Sequence, residues 1–154
     1  MTTIEQGIEV EVPVRTAYNQ WTQFEDFPQF MEGVKEIKQI TDTRLRWRAE
    51  ILGVDREWEA EIDEQTPDQR IAWHAIDGTT NGGVVTFHRL DEGLTRVMLQ
   101  LELEPEGIVE KAGDWLGLVK GRVKGDLERF KTFIEGRGRE TGAWRGEVKQ
   151  DSTG

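Results

Sequence analysis

Apolar and polar residues alternate with a period of two over two parts of the chain, and this alternation predicts β-strands with one buried face. Near the N-terminus, Ile8, Val10 and Val12 share one face. Between about residues 34 and 104, several runs of the same kind follow one another, separated by turn residues. Together with the first strand, these runs predict a curved antiparallel sheet of about seven strands.

Two short helices are expected between the first and second strands. After Pro13, apolar residues recur at the spacing of an amphipathic helix. They are Val14, Ala17, Tyr18 and Trp21. The segment EDFPQFMEGV then predicts a second helical turn that carries an apolar flap, made by Phe24, Phe27, Phe30 and Met31. One hypothesis is that this flap is a surface for a protein partner.

Two strands of opposite parity fix their own pairing. If a tight turn falls at Leu52 and Gly53, Trp47 lies across from Trp58 on the inner face. On the outer face the same alignment pairs arginines with glutamates, namely Arg44 with Glu61, Arg46 with Glu59 and Arg48 with Glu57. Each of these pairs favours the alignment by roughly 0.2 to 1 kcal/mol. A slip of one residue would turn both tryptophans to water.

A third tryptophan, Trp73, is inward on the next strand and is expected across from Ile62. Phe87 and Leu99 occupy inward positions on the last two strands, and the segment DGTTNGG before them predicts a mobile loop. An aromatic layer on the inner face of the sheet follows from this parity. The indoles either fill the core or line a pocket, and the pattern alone leaves both interpretations open.

A helix of roughly 28 residues is predicted from near Ile108, on the length of its apolar periodicity. Its apolar stripe consists of Ile108, Ala112, Leu116, Val119, Val123, Leu127, Phe130 and Ile134. Glycine recurs every fourth residue beside it, at Gly113, Gly117, Gly121 and Gly125. Because each mid-helix glycine costs about 1 kcal/mol relative to alanine, we expect packing or function to offset the cost of these four. They allow either a close approach to the indoles or room for a ligand.

Residues 1–136 are expected to form a single domain, with residues 137–154 as a flexible C-terminal tail rich in glycine and charge. At 154 residues, the chain is long enough for one hydrophobic core.

Thirty acidic against twenty basic residues give a formal charge of −10, which disfavours nucleic acid and anionic membranes as partners. The N-terminus lacks the pattern of a signal peptide, and no stretch resembles a membrane span, so a cytoplasmic protein without stable membrane insertion is expected.

Three segments resemble the START-like (SRPBCC) superfamily: VPVRTAYNQWTQFEDFPQFMEGV, RIAWHAIDGTTNGGVVTF and EKAGDWLGLVKGRVKGDLERFKTFIEGRGRETGAW. The similarity covers about residues 5 to 145 and is closest to polyketide cyclase/dehydrase proteins and their coenzyme Q-binding relatives. The resemblance implies an α+β helix-grip fold, with the sheet wrapped around the long C-terminal helix. It also implies a deep cavity between the sheet and that helix.

Catalytic and metal-binding groups are sparse. His74 and His88 lie at outward positions, cysteine is absent, and no serine stands at a strand-to-helix elbow. No metal site, cofactor or catalytic set is therefore predicted. Arg56 shares the inward parity of Trp58 and Arg89 that of Phe87. Each arginine either reaches back to water or points into the cavity, where Arg56 could polarise a ligand carbonyl.

The principal hypothesis is that the protein binds an apolar, ring-containing small molecule such as a quinone, lipid or polyketide. The alternatives are a cyclase or dehydratase, and a protein-interaction module whose pocket is filled. The residues predicted to bind the ligand are Trp47, Trp58, Trp73, Phe87, Leu99, Arg56, Phe27, Phe30, Leu116 and Gly117.

Overall fold

The structure of the chain, a computed structural model, describes residues 2–51, 53–76, 81–103 and 112–149. Within these ranges the side chains of residues 2, 51, 54, 81, 103 and 112–116 are not described. The described residues form one sheet of seven strands in the order β1-β7-β6-β5-β4-β3-β2. The strands are β1 (Thr2–Val10), β2 (Val34–Gln39), β3 (Arg44–Ile51), β4 (Val54–Thr66), β5 (Arg70–Ala75), β6 (Asn81–Asp91) and β7 (Leu94–Leu103).

Every pair of neighbouring strands is antiparallel, and the helices lie where the pattern places them. Helix α1 (Val14–Trp21) and a 3-10 helix (Phe24–Gln29) connect β1 to β2, and helix α2 (Ala112–Arg137) follows β7. Pro13 precedes the first turn of α1 with extended backbone angles, because its ring fixes φ and removes an N–H donor. The α+β helix-grip fold is confirmed. The expected start of α2 near Ile108 lies outside the described residues.

The pairing of β3 with β4 is the one predicted from parity. Trp47 lies across from Trp58, and the three arginines of β3 lie across from the three glutamates. The ion pairs partly cross the ladder diagonally: Arg46 is 3.2 Å from Glu57, and Arg44 lies 3.5 Å from both Glu59 and Glu61. Long side chains reach diagonal as well as direct neighbours, so the backbone register is set even where the ion pairs shift.

Two irregularities shape the sheet. The first is a register shift in β2, between Val34 and Glu36. A second shift, between Ile62 and Glu64, lies in β4. Because an extra residue reverses the parity of the positions after it, Gln65 is buried on the inner face instead of facing water.

Strand β1 begins at Thr2, earlier than the alternation from Ile8 indicates. Ile4 is inward, fully buried and paired with Leu101, but Gln6 and Gly7 interrupt the apolar alternation in the sequence. The apolar pattern therefore marked only the second half of this strand.

The expected flap is part of the core. Phe24, Phe27 and Phe30 are 5%, 2% and 1% exposed, and Phe30 packs edge-on against Phe130 of α2 with ring centroids 5.2 Å apart. Trp21 contacts the same group of rings. The hypothesis of a protein-binding flap is therefore wrong, because its aromatic side chains are used to join the 3-10 helix to α1 and α2.

The C-terminal half of α2 is pinned to the chain that follows the 3-10 helix. Arg129 Nε donates to the Phe30 carbonyl at 3.0 Å, and the Glu32 N–H donates to Asp126 Oδ1 at 3.2 Å. Burial raises the pKa of Asp126, while its ion pair with Arg129 and the Glu32 N–H act in the opposite direction. This half of the helix is therefore fixed by polar contacts as well as by its apolar stripe.

Residues 138–149 also lie against the body of the fold. Val148 forms an antiparallel bridge with Gln65 of β4, and Trp144 N donates to Thr22 Oγ1 at 3.0 Å. This packing departs from the expectation of a flexible tail from residue 137. Glycine and charge dominate the segment, but its polar groups have buried polar partners on α1 and β4, which the composition does not reveal.

Candidate ligand-binding site

Burial of the inner face of the sheet changes along the strands. Near α1 it is closed: Ile71, Val85 and Val97 are at most 1% exposed. Further along β5 and β7, Trp73 and Leu101 are only half-buried on the same face. The accessible apolar surface of the concave face is therefore at the end away from α1.

Trp47 and Trp58 form the flat centre of this end. Their rings are stacked, with centroids 5.8 Å apart and an angle of 6° between the planes. Trp47 is 9% exposed and also contacts Phe27, whereas Trp58 is half-buried. Trp47 thus supports Trp58 from the core side, and such a pair contributes about 0.5 to 1.5 kcal/mol beyond area burial.

Trp73 of β5 is paired with a glycine, Gly83, on the neighbouring strand β6. A Cβ added to Gly83 would stand 2.6 Å from Trp73 Cζ2 and 2.9 Å from Leu101 Cδ2. Only a residue without a side chain leaves this space free for the two neighbouring side chains. Gly82 and Gly83 belong to β6 and not to the predicted loop, and residues 77–80 of that loop lie outside the described part of the chain.

Arg56 shares this face. It pairs across the ladder with Ala49, which is 4% exposed, and its own side chain is half-buried. The second inward arginine, Arg89, is exposed at the end of β6, as expected for a side chain that reaches back to water. A cationic group therefore stands at the edge of the aromatic layer, next to Trp58 along β4.

The two histidines face outward and are exposed, as parity predicts. His74 lies across the ladder from Glu61, and its ring nitrogen Nδ1 is 2.7 Å from an oxygen of Asp63. His88 is 3.0 Å from the Thr86 hydroxyl. Among the residues that the structure describes, no group of three or more His, Cys, Asp or Glu side chains converges on a metal site.

Gly117 and Gly121 of α2 fit neither of the expected explanations. A Cβ at either position would meet no atom of the described residues within 4 Å, apart from the backbone of the helix itself, and both glycines are exposed. Gly121 is two residues from both Val119 and Val123, which places it about 200° around the helix from these buried positions. It therefore lies on the side of α2 that faces away from the sheet, where it neither approaches an indole nor lines the space between helix and sheet.

The predicted site residues fall into separate groups. Trp47, Trp58 and Arg56 lie together on β3 and β4. Trp73 lies on β5 across from Ile62, and Leu99 is 6% exposed and paired with the buried Val85. Phe30 and Phe87 are core residues away from the accessible end, at 1% and 5% exposure, whereas Phe27 is 2% exposed and contacts Trp47 from the core side. The side chain of Leu116 lies outside the described residues, and Gly117 is on the exposed surface.

Two members of the aromatic end were absent from the predicted site. Leu101 has the inward parity of Leu99, so the alternation of β7 is the signal that finds it. Gly83 is inward by the same parity as Val85, but a glycine in a glycine-rich segment resembles a loop residue. In both cases, the alternation of inward and outward positions along the strand indicates that the residue faces inward.

A curved antiparallel sheet closed by a long C-terminal helix, with an aromatic inner face, defines a START-like protein of the helix-grip class. The family model described as polyketide cyclase/dehydrase and lipid transport matches residues 10–132. The chain belongs to this family. No helix in the described ranges is both long enough and apolar enough to cross a membrane.

The chain is also similar to individual proteins. A 17.2 kDa uncharacterized protein from the melC2-rnhH intergenic region of Streptomyces lincolnensis is 59% identical over 149 residues, which are 96% of this chain and 99% of that protein. A START superfamily protein from Mycobacterium smegmatis has a TM-score of 0.70 at 19% identity, over 88% of this chain and 95% of its own. The Zhui aromatase/cyclase of Streptomyces sp. R1128 has a TM-score of 0.69 at 10% identity, over 88% and 92%. At these identities, the two comparisons show only that this chain has the same fold as those proteins.

Proposed function

We propose that the protein binds an apolar, ring-containing small molecule, such as a quinone, a lipid with a ring system or a polyketide-like compound. The site lies over Trp58 and Trp73 on the concave face of the sheet. The observation that carries the proposal is the exposure gradient: the inner face is closed near α1, while these two indoles remain half-buried. Evolved cores bury such rings, and accessible aromatic surface on a concave face favours a ligand.

The arrangement of the rings favours a flat ligand. The parallel pair of Trp47 and Trp58 offers a planar indole face, and planar rings gain from offset stacking as well as from burial. The indole N–H of Trp47 is buried and has no hydrogen-bond partner within the described ranges. It could donate to a carbonyl oxygen, which quinones and polyketides carry and plain hydrocarbons lack.

The comparisons support the same ligand class at a coarser level. The family description joins polyketide cyclases and dehydrases with lipid transport, and the Zhui protein is named an aromatase/cyclase. All of these terms refer to large apolar molecules.

A cyclase or dehydratase is the second candidate function, and Arg56 is the observation that favours it. Its guanidinium stands at the edge of the aromatic layer, and a cation placed there could stabilise the enolate that forms as a polyketide chain closes into a ring. Proton transfer would need a further acid or base next to the ligand. The binding function requires no such group.

Replacing Trp58 by alanine tests the proposal. We expect Trp58→Ala to weaken binding of 2-methyl-1,4-naphthoquinone or a hydroxyanthraquinone at least tenfold in isothermal titration calorimetry, because the stacked face is lost. The heat-capacity change of binding should be negative, as apolar burial requires. Trp144→Ala is the matched control, since Trp144 is also half-buried but lies on the C-terminal segment against α1.

Two results would argue against the proposed binding function. Equal affinity in Trp58→Ala and Trp144→Ala would contradict the proposed site. If wild-type protein converts a linear poly-β-ketone into a ring compound, seen as loss of water by mass spectrometry, the cyclase function is assigned instead of simple binding.

A further inference from the structure

The segment that follows α2 is held to the body by polar contacts. It leaves the helix at Gly138, which has a φ of +76°, and residues 140–148 then run across α1 and β4. We call residues 140–148 the C-terminal strap. Its two large apolar side chains, Trp144 and Val148, are only half-buried, and Ala143 is exposed. A segment attached mainly through polar groups can separate from the body without exposing a large apolar surface.

Three polar side chains of α1 and its C-cap make these contacts. Asn19, Gln20 and Thr22 are each at most 2% exposed, which is unusual for polar residues. Their hydrogen bonds to the strap are Asn19 Nδ2 to Glu140 Oε2 at 2.6 Å, Gln20 Nε2 to Thr141 Oγ1 at 3.1 Å, Thr141 N to Gln20 Oε1 at 2.9 Å and Trp144 N to Thr22 Oγ1 at 3.0 Å. The strap thus explains why this row of polar residues is buried.

Arg145 occupies a site shaped for a guanidinium group. Its Nη1 donates to Asn19 Oδ1 at 2.6 Å, and its Nη2 donates to Asp68 Oδ2 at 2.8 Å. The Cζ atom lies 5.5 Å from the centroid of the Tyr18 ring, over its face. A carboxylate, an amide oxygen and an aromatic face are the three partners that a planar, delocalised cation prefers.

Buried polar groups lie beneath the strap. The Tyr18 hydroxyl and the Gln65 amide are neighbours, but among the described residues neither makes a hydrogen bond of ordinary geometry. The strap covers both residues, since the guanidinium lies over the Tyr18 ring and Val148 pairs with the Gln65 backbone at 2.8 and 2.9 Å. Burial raises the pKa of Tyr18, and the neighbouring Gln65 and Arg145 act in the opposite direction.

The contacts of Arg145 and the burial of the Tyr18 and Gln65 polar groups contribute free energies of opposite sign to closing the strap. An unpartnered buried polar group costs about as much free energy as a charge-assisted hydrogen bond contributes. Closing the strap dehydrates the Tyr18 hydroxyl and the Gln65 amide, and the Arg145 contacts offset that cost. Opening restores water to both groups, which lowers the free-energy cost of separating the strap from the body.

We propose that residues 140–148 form a reversible strap, and that Tyr18, Asn19 and Asp68 form a guanidinium-binding site which holds it closed through Arg145. When the strap opens, the Tyr18 and Gln65 end of the core becomes accessible to water and to polar molecules. Gln65 is seven residues along β4 from Trp58, roughly 20 Å in an extended strand, so this opening is remote from the stacked pair of Trp47 and Trp58.

The only tyrosine in the chain gives a specific readout. In the full-length protein we expect tetranitromethane to nitrate Tyr18 slowly, and at least ten times faster in Arg145→Ala, as followed by absorbance and peptide mass. Arg139→Ala should react like wild type, because Arg139 is exposed and its side chain has no hydrogen bond or ion pair in the described ranges. Equal rates in Arg145→Ala and wild type would overturn the proposal.

Chemical rescue tests the guanidinium site itself. Millimolar ethylguanidinium should slow nitration of Arg145→Ala back toward the wild-type rate in a saturable manner, whereas ethylammonium at equal ionic strength should not. The double variant Arg145→Ala with Asp68→Asn should lose the rescue, because the carboxylate partner is gone. Equal effects of both cations, or of neither, would contradict a guanidinium-binding site.

Hydrogen exchange of the wild-type protein keeps the proposal testable if the variants fold poorly. The amides of Thr141, Trp144 and Val148 should exchange at least a hundred times faster than the ladder amides of β7, since the strap opens while the sheet stays folded. Protection equal to that of β7 would mean that the strap opens only on global unfolding, and the proposal would be wrong.

Discussion

At the scale of single residues, the lack of a side chain at Gly83 determines where the indole of Trp73 lies. Trp73 extends over Gly83 of the neighbouring strand, and a Cβ there would be 2.6 Å from the indole. Leu101 Cδ2 borders the same space, 2.9 Å from that Cβ. The position of Trp73 at the aromatic end is therefore set as much by Gly83 as by Trp73 itself.

Gly83→Ala should displace Trp73 and destabilise the protein. Overpacking of this kind costs about 1 to 3 kcal/mol, since Gln100 O, a backbone atom 3.0 Å from the added Cβ, cannot move away as the side chains can. Denaturant unfolding measures the change in the free energy of unfolding. Gly93→Ala is the control, because its Cβ would meet no atom within 4 Å, and it should change stability by less than about 0.5 kcal/mol. Equal effects of the two substitutions would contradict the close packing at Gly83.

At the scale of elements, α2 has two faces with different chemistry. Val123, Leu127 and Phe130 are at most 5% exposed and pack inward, while Gly117 and Gly121 face away from the sheet. Nothing in the described chain lies close to these two glycines. Their helix-weakening effect is therefore not offset by packing within the described part of the molecule.

Gly121→Ala should stabilise the protein by about 1 kcal/mol, because alanine is the better helix former and its Cβ meets open space. Thermal and denaturant unfolding measure the gain. Gly125→Ala should gain less, since its Cβ would stand 3.1 Å from Arg129 Nη1, and the arginine would have to move. A loss of stability in Gly121→Ala would show that the glycine has a packing role.

At the scale of the whole molecule, the fold closes one end of its core and leaves aromatic surface at the other. Trp21, Tyr18 and Phe130 fill the closed end between α1, α2 and the sheet. Trp58 and Trp73 remain half-buried at the accessible end. The proposed binding function requires both, because the packed end supplies stability and the other end leaves aromatic surface for a ligand.

The fold and the register could be predicted from the sequence because period and parity are local properties. The pairing of Trp47 with Trp58 follows from two short strands and one turn. The role of Phe27 and Phe30 could not be predicted in the same way, since apolar residues in a short helical turn look alike whether they are buried or exposed. The inward position of Gln65 depends on a bulge, and the contacts of Arg145 depend on partners 77 and 126 residues away in sequence.

The central claim is that the accessible aromatic end binds a ring-containing ligand, and the indole N–H signals test it most directly. The chain has six tryptophans, so a proton–nitrogen NMR spectrum resolves them individually. Titration with a panel of quinones, polyaromatic compounds and ring-bearing lipids should shift the signals of Trp47, Trp58 and Trp73 in a saturable manner, with Trp21 and Trp144 unchanged. If no compound shifts those three signals, or if saturable shifts appear only at Trp144, the proposed site is contradicted.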